Sequence, residues 1–283
     1  MKKLRSIFKP SILFIILFLG FNLLLNLQIM AQGNLNVNPR RVIFDGQKRI
    51  MELNVNNDSQ DSAKFLVSFV QIRMSEEGVM QWITTPELGQ NFADKYIRVF
   101  PRIIKLGPNE TQIVRLQLTR TDKLVQGEYR SHLYFKSLVP QKALGAEDIK
   151  KDSNILLKIE MTYGFTMPVI IRVGESTTML NITEMKIETS TDGSEKLHLT
   201  LNRSGNMSAY GEVSATYIAP NGQETQIGLL GDVAVYTPNA LLRIQIKLDS
   251  KKIIDLTKGK IRVIYSSKSG TRIVKLAEAL LDL

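Results

Sequence analysis

His132 and His198 are the only two imidazoles in 283 residues, and the chain has no cysteine. Without a thiolate there is no disulfide framework, no thiolate metal site, no iron–sulfur cluster and no cysteine nucleophile. His132 lies between Ser131 and Leu133, and His198 between Leu197 and Leu199. Neither has a partner His, Asp or Glu at ligand spacing, so both read as structural or exposed and no metal is expected. The sequence holds no Gly-x-Ser-x-Gly elbow, no phosphate-cradling glycine loop and no dinucleotide fingerprint. No nucleophile is identified, no cofactor is implied, and an enzyme is not expected. Asn57, Asn109, Asn181, Asn202 and Asn206 each open an Asn-x-Ser/Thr triplet, which matters only in a glycosylating secretory route and is read as chance.

What remains is recognition by charge and by backbone. Arg40 and Arg41 precede the apolar triplet Val42-Ile43-Phe44. A guanidinium is planar and can bind a carboxylate through two charge-assisted bonds, although a Pro-Arg-Arg step before a strand is, taken alone, a solvated edge. The formal charge is +10, but Lys2, Lys3, Arg5 and Lys9 sit in an opening stretch without acids. The other cations are scattered rather than gathered with aromatics, so no nucleic-acid surface is expected.

Residues 1–31 read as a leader: a basic start, an apolar run over 11–27, then Ile29-Met-Ala31 ahead of Gln32. Cleavage after Ala31 and retention as a short anchor both remain open, since the run approaches the shortest membrane spans of roughly 17 residues. Export to the periplasm is expected, with no stable span after cleavage.

With 43% hydrophobic and 23% charged residues, the chain exceeds one small core. Its apolar residues alternate in short β-branched runs separated by Gly, Pro, Asn and Asp, the pattern of an all-β protein. Strands are predicted over 41–44, 49–55, 64–73, 79–83, 97–100, 111–118, 129–136, 155–165 and 169–173. A second set covers 179–188, 196–202, 211–219, 223–227, 241–248, 259–265 and 271–281. The resulting organisation is a leader at 1–31 and two immunoglobulin-like β-sandwich domains at 32–174 and 175–283, with 140–154 a long loop in the first. Asp192-Gly193, Asn221-Gly222 and Ser269-Gly270 read as hairpin turns, and Ser204-Gly205 and Gly231-Asp232 as further turns. Residues 274–283 suit a short helix or, better, a strand paired to 261–265. Tyr129 opens a late strand after Leu124-Val-Gln-Gly127-Glu and is expected to form a tyrosine corner. Trp82, the only Trp, is expected to pack in the core.

The strand over 155–165 has one continuously apolar face: Ile155, Leu157, Ile159, Met161, Tyr163 and Phe165, with Leu156, Lys158, Glu160 and Thr162 opposite. That face either lies in the protein's own core or stays open as a pairing surface.

Three ordered segments resemble the periplasmic pilus-assembly chaperones of the PapD-like family. They are Asn38-Pro-Arg-Arg41-Val-Ile-Phe44-Asp-Gly46 with Met51-Glu-Leu-Asn-Val-Asn56-Asn57; Val99-Phe-Pro101 through Gln112-Ile-Val-Arg115-Leu116, with Gly127-Glu-Tyr-Arg-Ser-His-Leu-Tyr-Phe135 after it; and 155–165 running into Met167-Pro168-Val-Ile-Ile171. Together they span most of 37–173. The second domain is similar only in strand count and in Leu201-Asn-Arg-Ser-Gly-Asn-Met-Ser-Ala-Tyr210-Gly.

The resemblance implies a chaperone without catalysis that caps incomplete pilin-like or fibre subunits by donor-strand complementation, with an outer-membrane usher as a further partner. Ile155, Leu157, Ile159, Met161 and Tyr163 would be the donor row, and Pro168 the proline that follows it. Arg41 matches the first member of a basic pair that holds the client's terminal carboxylate. The second member is missing: the position falls on Tyr163 without a gap or Gly164 with one, leaving Arg40, Lys158 or Arg172 as substitutes. Of the family's arginine–glutamate–arginine group, Arg115 matches one member, Arg130 falls at the acidic position and Met167 at the other basic one, with Glu128 on the same strand face to pair with Arg115. The rival reading is a structural or adhesive cell-surface protein in which the alternating strand is core.

Overall fold

The computed structural model describes residues 35–138, 164–191, 193–249, 256–269 and 272–283. The leader, and with it Ile155, Leu157, Ile159, Met161 and Tyr163, lies outside the described residues. The described chain is all-β, two sandwiches in sequence, each of two sheets.

In the first sandwich, β1 (Leu35–Asn38), β3 (Ile50–Asn57), β8 (Thr111–Leu118) and β6 (Ile97–Phe100) form one sheet in the order β1-β3-β8-β6. The facing sheet runs β2 (Val42–Phe44), β10 (Gly164–Val173), β9 (Gly127–Ser137), β4 (Ala63–Met74) and β5 (Met80–Ile83), with β7 (Ile103–Leu106) also paired to β4. Period-two patterning sets the faces: in β8, Val114 and Leu116 are buried while Ile113 and Arg115 are exposed. They meet Leu53, Val67, Leu133, Phe135 and Val169 in one core, where full burial of each aliphatic or Phe side chain stabilises by about 1.5–3 kcal/mol.

The second sandwich sets β11 (Met179–Thr189), β12 (Glu195–Ser204) and β15 (Leu241–Lys247) against β14 (Glu224–Val235), β13 (Ala209–Ile218), β16 (Lys260–Ser269) and β17 (Arg272–Asp282). Leu197, Leu199, Leu201, Val213, Ile227 and Val263 lie in its core, and so do Met74 and Ile170, which come from the outer face of the first sandwich. The two cores therefore meet through a shared apolar seam.

Three predicted elements are corrected. Residues 164–173 form one strand through Pro168 instead of a break before 169. The parallel ladder of β10 with β2 covers only Val169–Ile171 against Val42–Phe44, so on that side Pro168 has no ladder bond to lose. Gly231-Asp232 is a bulge inside β14, not a turn. Gly211 faces Val233 and Val213 faces Leu230, which leaves Glu212 opposite two residues, with Asp232 at φ 57. Trp82 is 61% exposed, its ring edge-on to Tyr134 at 5.1 Å. It sits on β5 at the margin of its sheet, where no second layer covers it. The closing residues adopt the strand, β17, pairing throughout with β16.

Gly211 is forced by close approach: a Cβ there would lie 1.9 Å from the Ser266 carbonyl oxygen, whereas one at Gly231 meets nothing within 4 Å. Gly211→Ala is expected to cost about 2–3 kcal/mol of stability, because overpacking against backbone cannot relax by a rotamer change. Gly231→Ala should stay within about 0.5 kcal/mol. Denaturant melts of the two variants check the contrast.

Candidate functional site: the cation cluster at the seam

Strand β9 is buried on both faces over most of its length. Tyr129, Leu133 and Phe135 turn into the first core. Ser131 shares that face, and its hydroxyl accepts the N–H groups of Ala93 at 2.9 Å and Asp94 at 3.0 Å. The alternate residues Glu128, Arg130 and His132 stand opposite Arg172, Ile170 and Pro168 of β10 and face the second sandwich.

Glu128 has no exposed side-chain surface. Its carboxylate accepts the Ser208 N–H at 3.0 Å, the Ser208 hydroxyl, and the Thr237 hydroxyl at 3.4 Å. Arg172 Nε lies 3.1 Å from the same carboxylate, and Arg172 Nη2 donates to the Ser208 carbonyl at 2.7 Å. One buried acid thus binds both sandwiches. A second tie is made by the turn after β4, where Arg243 N–H donates to the Glu76 carbonyl at 2.7 Å and Asn239 Nδ2 to the Met74 carbonyl at 2.8 Å.

Two guanidinium groups gather around Tyr236. Arg130, 3% exposed, has its Cζ 4.2 Å from the ring centroid and donates through Nη1 to the Ile72 carbonyl and through Nη2 to the Thr237 carbonyl, each at 3.2 Å. Arg41 has its Cζ 5.4 Å from the same centroid and 4.2 Å from that of Tyr210, and its Nη1 donates to the Tyr236 hydroxyl at 3.2 Å. Arg41 Nε, Arg41 Nη2, Arg130 Nε and His132 Nδ1 are all buried without a hydrogen-bond partner among the described residues.

The electrostatics follow from this crowding. Burial first, then the charges of Arg130 and Arg41, holds the His132 imidazole down at about 3, so it is neutral at ordinary pH. Burial lowers the Arg130 guanidinium, and Arg41 lowers it further, against Tyr236 and Glu128. Burial pushes the Tyr210 phenol up to about 12, helped by its hydrogen bond to Asp232.

No protein-family model and no curated protein matches the chain. Among solved structures it is similar to the CupB2 chaperone of Pseudomonas aeruginosa, at 12% identity and TM-score 0.45 over 88% of this chain and 100% of that one. It is likewise similar to the class 5 fimbriae chaperone CfaA, at 12% identity and TM-score 0.44 over 88% and 98% of the two chains. A third similarity is to the Salmonella enterica SafA pilin complex with the SafB chaperone, at 14% identity and TM-score 0.41 over 89% and 97%.

The structure distributes the sequence-derived residues unevenly. Arg41 reaches the seam. Tyr129 accepts the Val125 N–H at 3.0 Å and donates to the Val125 carbonyl at 3.3 Å, bridging the turn four residues upstream. Arg115 does not meet Glu128. Its strand, β8, belongs to the opposite sheet, and it pairs with Glu52 at 2.8 Å on the exposed face. The acid–base contact at the junction is Glu128 with Arg172; Arg130 there donates to the Ile72 and Thr237 carbonyls, and Met167 is buried in the first core. Of the substitutes for the missing second cation, Arg40 is exposed, Arg172 is engaged by Glu128, and Lys158 lies outside the described residues. His198 is bound to Glu188 at 3.1 Å, away from the seam. Among the described residues no three His, Cys, Asp or Glu gather to hold a metal, and no helix is long and apolar enough to cross a membrane. Arg130, His132, Tyr210 and Tyr236 were not singled out for this site by their types. The legible signal was the polar row Glu128, Arg130, His132 at period two on a strand whose other face is core.

The depressed His132 pKa carries a sign. The unfolded chain binds a proton near pH 6.5 that the folded chain refuses until about 3. Stability is therefore full above 6.5 and falls with pH across that window, by a few kcal/mol in total. A His132→Gln variant should show a flatter acid limb between pH 6.5 and 3 than the parent, measured by denaturant unfolding at a series of pH values.

Proposed function

We propose that the protein is a periplasmic chaperone that captures secreted fibre subunits lacking a strand and caps them by strand donation until they are assembled at an outer-membrane usher. One observation carries the reading. The ladder between β10 and β2 covers three residues only, so Gly164–Pro168 pair with β9 on one side, and on the other side no strand among the described residues pairs with them. Such an edge offers main-chain donors and acceptors to an incoming strand. In the sequence, the alternating segment 155–163 directly precedes Gly164.

Phe165 packs on the first core, 6.4 Å from Phe135 in a tilted arrangement. The residues of the same parity ahead of it, Ile155, Leu157, Ile159, Met161 and Tyr163, fill the client's open sandwich in this reading. Arg41 stands immediately before β2 at the seam end of this edge, and anchors the client's terminal carboxylate. A carboxylate at that end requires the client's last strand to run parallel to β10. Affinity comes from backbone and buried apolar side chains, so neither cofactor nor catalysis is needed.

Affinity isolation of the tagged protein from the periplasm, followed by mass spectrometry, should recover a subunit with an incomplete sandwich. Leu157→Pro should abolish capture of that subunit while the melting profile is kept, and Arg41→Ala should weaken it at least tenfold. Capture that survives Leu157→Pro overturns strand donation; stable attachment of the protein to the cell surface, with no subunit recovered, favours the adhesive reading.

A further inference from the structure

We infer that Tyr134, buttressed by Trp82, forms a side-chain subsite at the open edge of β10 and takes an apolar side chain of the strand that pairs there. The inference deepens the capture reading and rests on it for the occupant, the last strand of a fibre subunit.

Alternation places the two rings. Tyr134 continues the row of Arg130 and His132 on the face of β9 turned from the first core, and it is half-buried. Thr166 of β10 stands opposite it on one side and Ser68 of β4 on the other. Trp82 belongs to β5, beyond β4, where it stands opposite Ile72. Its ring reaches back across β4, where Ser68 is small, and meets Tyr134 edge-on with centroids 5.1 Å apart.

Tyr134 reaches across β10 in the same way. A Cβ built on Gly164 would lie 2.7 Å from Tyr134 Cζ and 2.7 Å from its Oη. The tip of the phenol therefore fills the place of a side chain at 164. Gly164 has no left-handed φ that would call for glycine, so it is the ring that requires the missing side chain. Gly164 also opens the stretch through Pro168 that has no described partner on its far side. Paired strands lie about 4.7–4.9 Å apart, and side chains opposite one another on one face touch at about that separation. A strand added to β10 thus meets the Tyr134 phenol at the level of Gly164, where β10 offers no side chain of its own.

The subsite is apolar by its surface. Trp82 is 61% exposed, and Met80, two residues earlier on the same face of β5, is 46% exposed. Tyrosine and tryptophan are the side chains whose truncation most often costs binding, because they bring large, stiff, amphipathic surface to a contact.

The test uses the full chain grown with fluorotryptophan, which carries a single fluorine resonance because Trp82 is the only Trp. The probe is the unlabelled subunit recovered by affinity isolation. Capture should move that resonance. Tyr134→Ala should weaken capture about tenfold, while Tyr134→Phe, which keeps the ring, should stay within about threefold of the parent. Gly164→Ala should also weaken capture, by displacing the phenol tip without removing it. A resonance that stays in place while the parent captures the subunit overturns the inference, and so does a folded Tyr134→Ala that captures at the parent's affinity. The parent titration decides the matter even if Tyr134→Ala fails to fold. A parent that captures no subunit removes the reading and the inference together, whereas capture that survives Leu157→Pro while the resonance still moves removes strand donation alone.

Discussion

A carboxylate with no exposed side-chain surface fixes how the two sandwiches meet. Removing an ion from water costs several kcal/mol even after relaxation, and the cost is offset only when geometry and extra hydrogen bonds are good. Glu128 meets that demand with groups from both sides: Arg172 from its own sandwich, and the Ser208 N–H, Ser208 hydroxyl and Thr237 hydroxyl from the other. A small slide of one sandwich over the other would strip the carboxylate of its Ser208 and Thr237 donors and leave it with Arg172 alone, a loss of about 1.5–3 kcal/mol for each hydrogen bond to the charged group. The exposed contact of Arg243 with Glu76 adds little by comparison, because solvent screens it. Apolar burial of Met74 and Ile170 in the second core supplies adhesion without direction, and the acid supplies direction.

That fixed seam places the cation cluster. Arg41 belongs to the first sandwich and the rings of Tyr210 and Tyr236 to the second, so the stack exists only while the two hold one angle. Strand β10 joins the cluster to the unpaired edge. From Gly164 to Pro168 it advances about 13 Å at 3.3 Å per residue, with Ile170 and Arg172 continuing into the seam. The unpaired edge and the residues that reach the seam, Ile170 and Arg172, are therefore carried on one strand.

Much of this fold was legible because alternation is a local property. Six of the seven strands of the second sandwich follow their predicted ranges to within four residues, while β14 runs on past the predicted end at 227 to Val235, and Tyr129 bonds back to Val125 as a corner residue does. The elements that escaped are those whose cause is not local. β1 and β7 are four residues each and are held by partners remote in sequence, β3 and β4. Gly231-Asp232 has turn composition, but the opposite strand continues past it and converts it to a bulge. Parity placed Glu128 and Arg115 on matching faces of their strands, yet parity cannot tell which sheet a strand joins, and theirs are different sheets. By its resemblance Arg130 stands at an acidic position. Its place beside Arg41 follows from the second sandwich covering that face, which no spacing within β9 discloses.

His132 shows why the cluster tolerates its own charge. It lies on the outer face of β9 two residues from Arg130, with its ring 6.3 Å from that of Tyr236. A lysine there would bring a further cation into a site where Arg41 and Arg130 already repel each other at low effective dielectric. An apolar residue would remove the polar nitrogen from the cluster. The imidazole stays neutral because burial and both guanidinium groups oppose its protonation. The row Glu128, Arg130, His132 is thus graded in charge along the strand: an acid where the sandwiches must lock, a cation beside Arg41, and a neutral polar ring where one more charge would weaken the site.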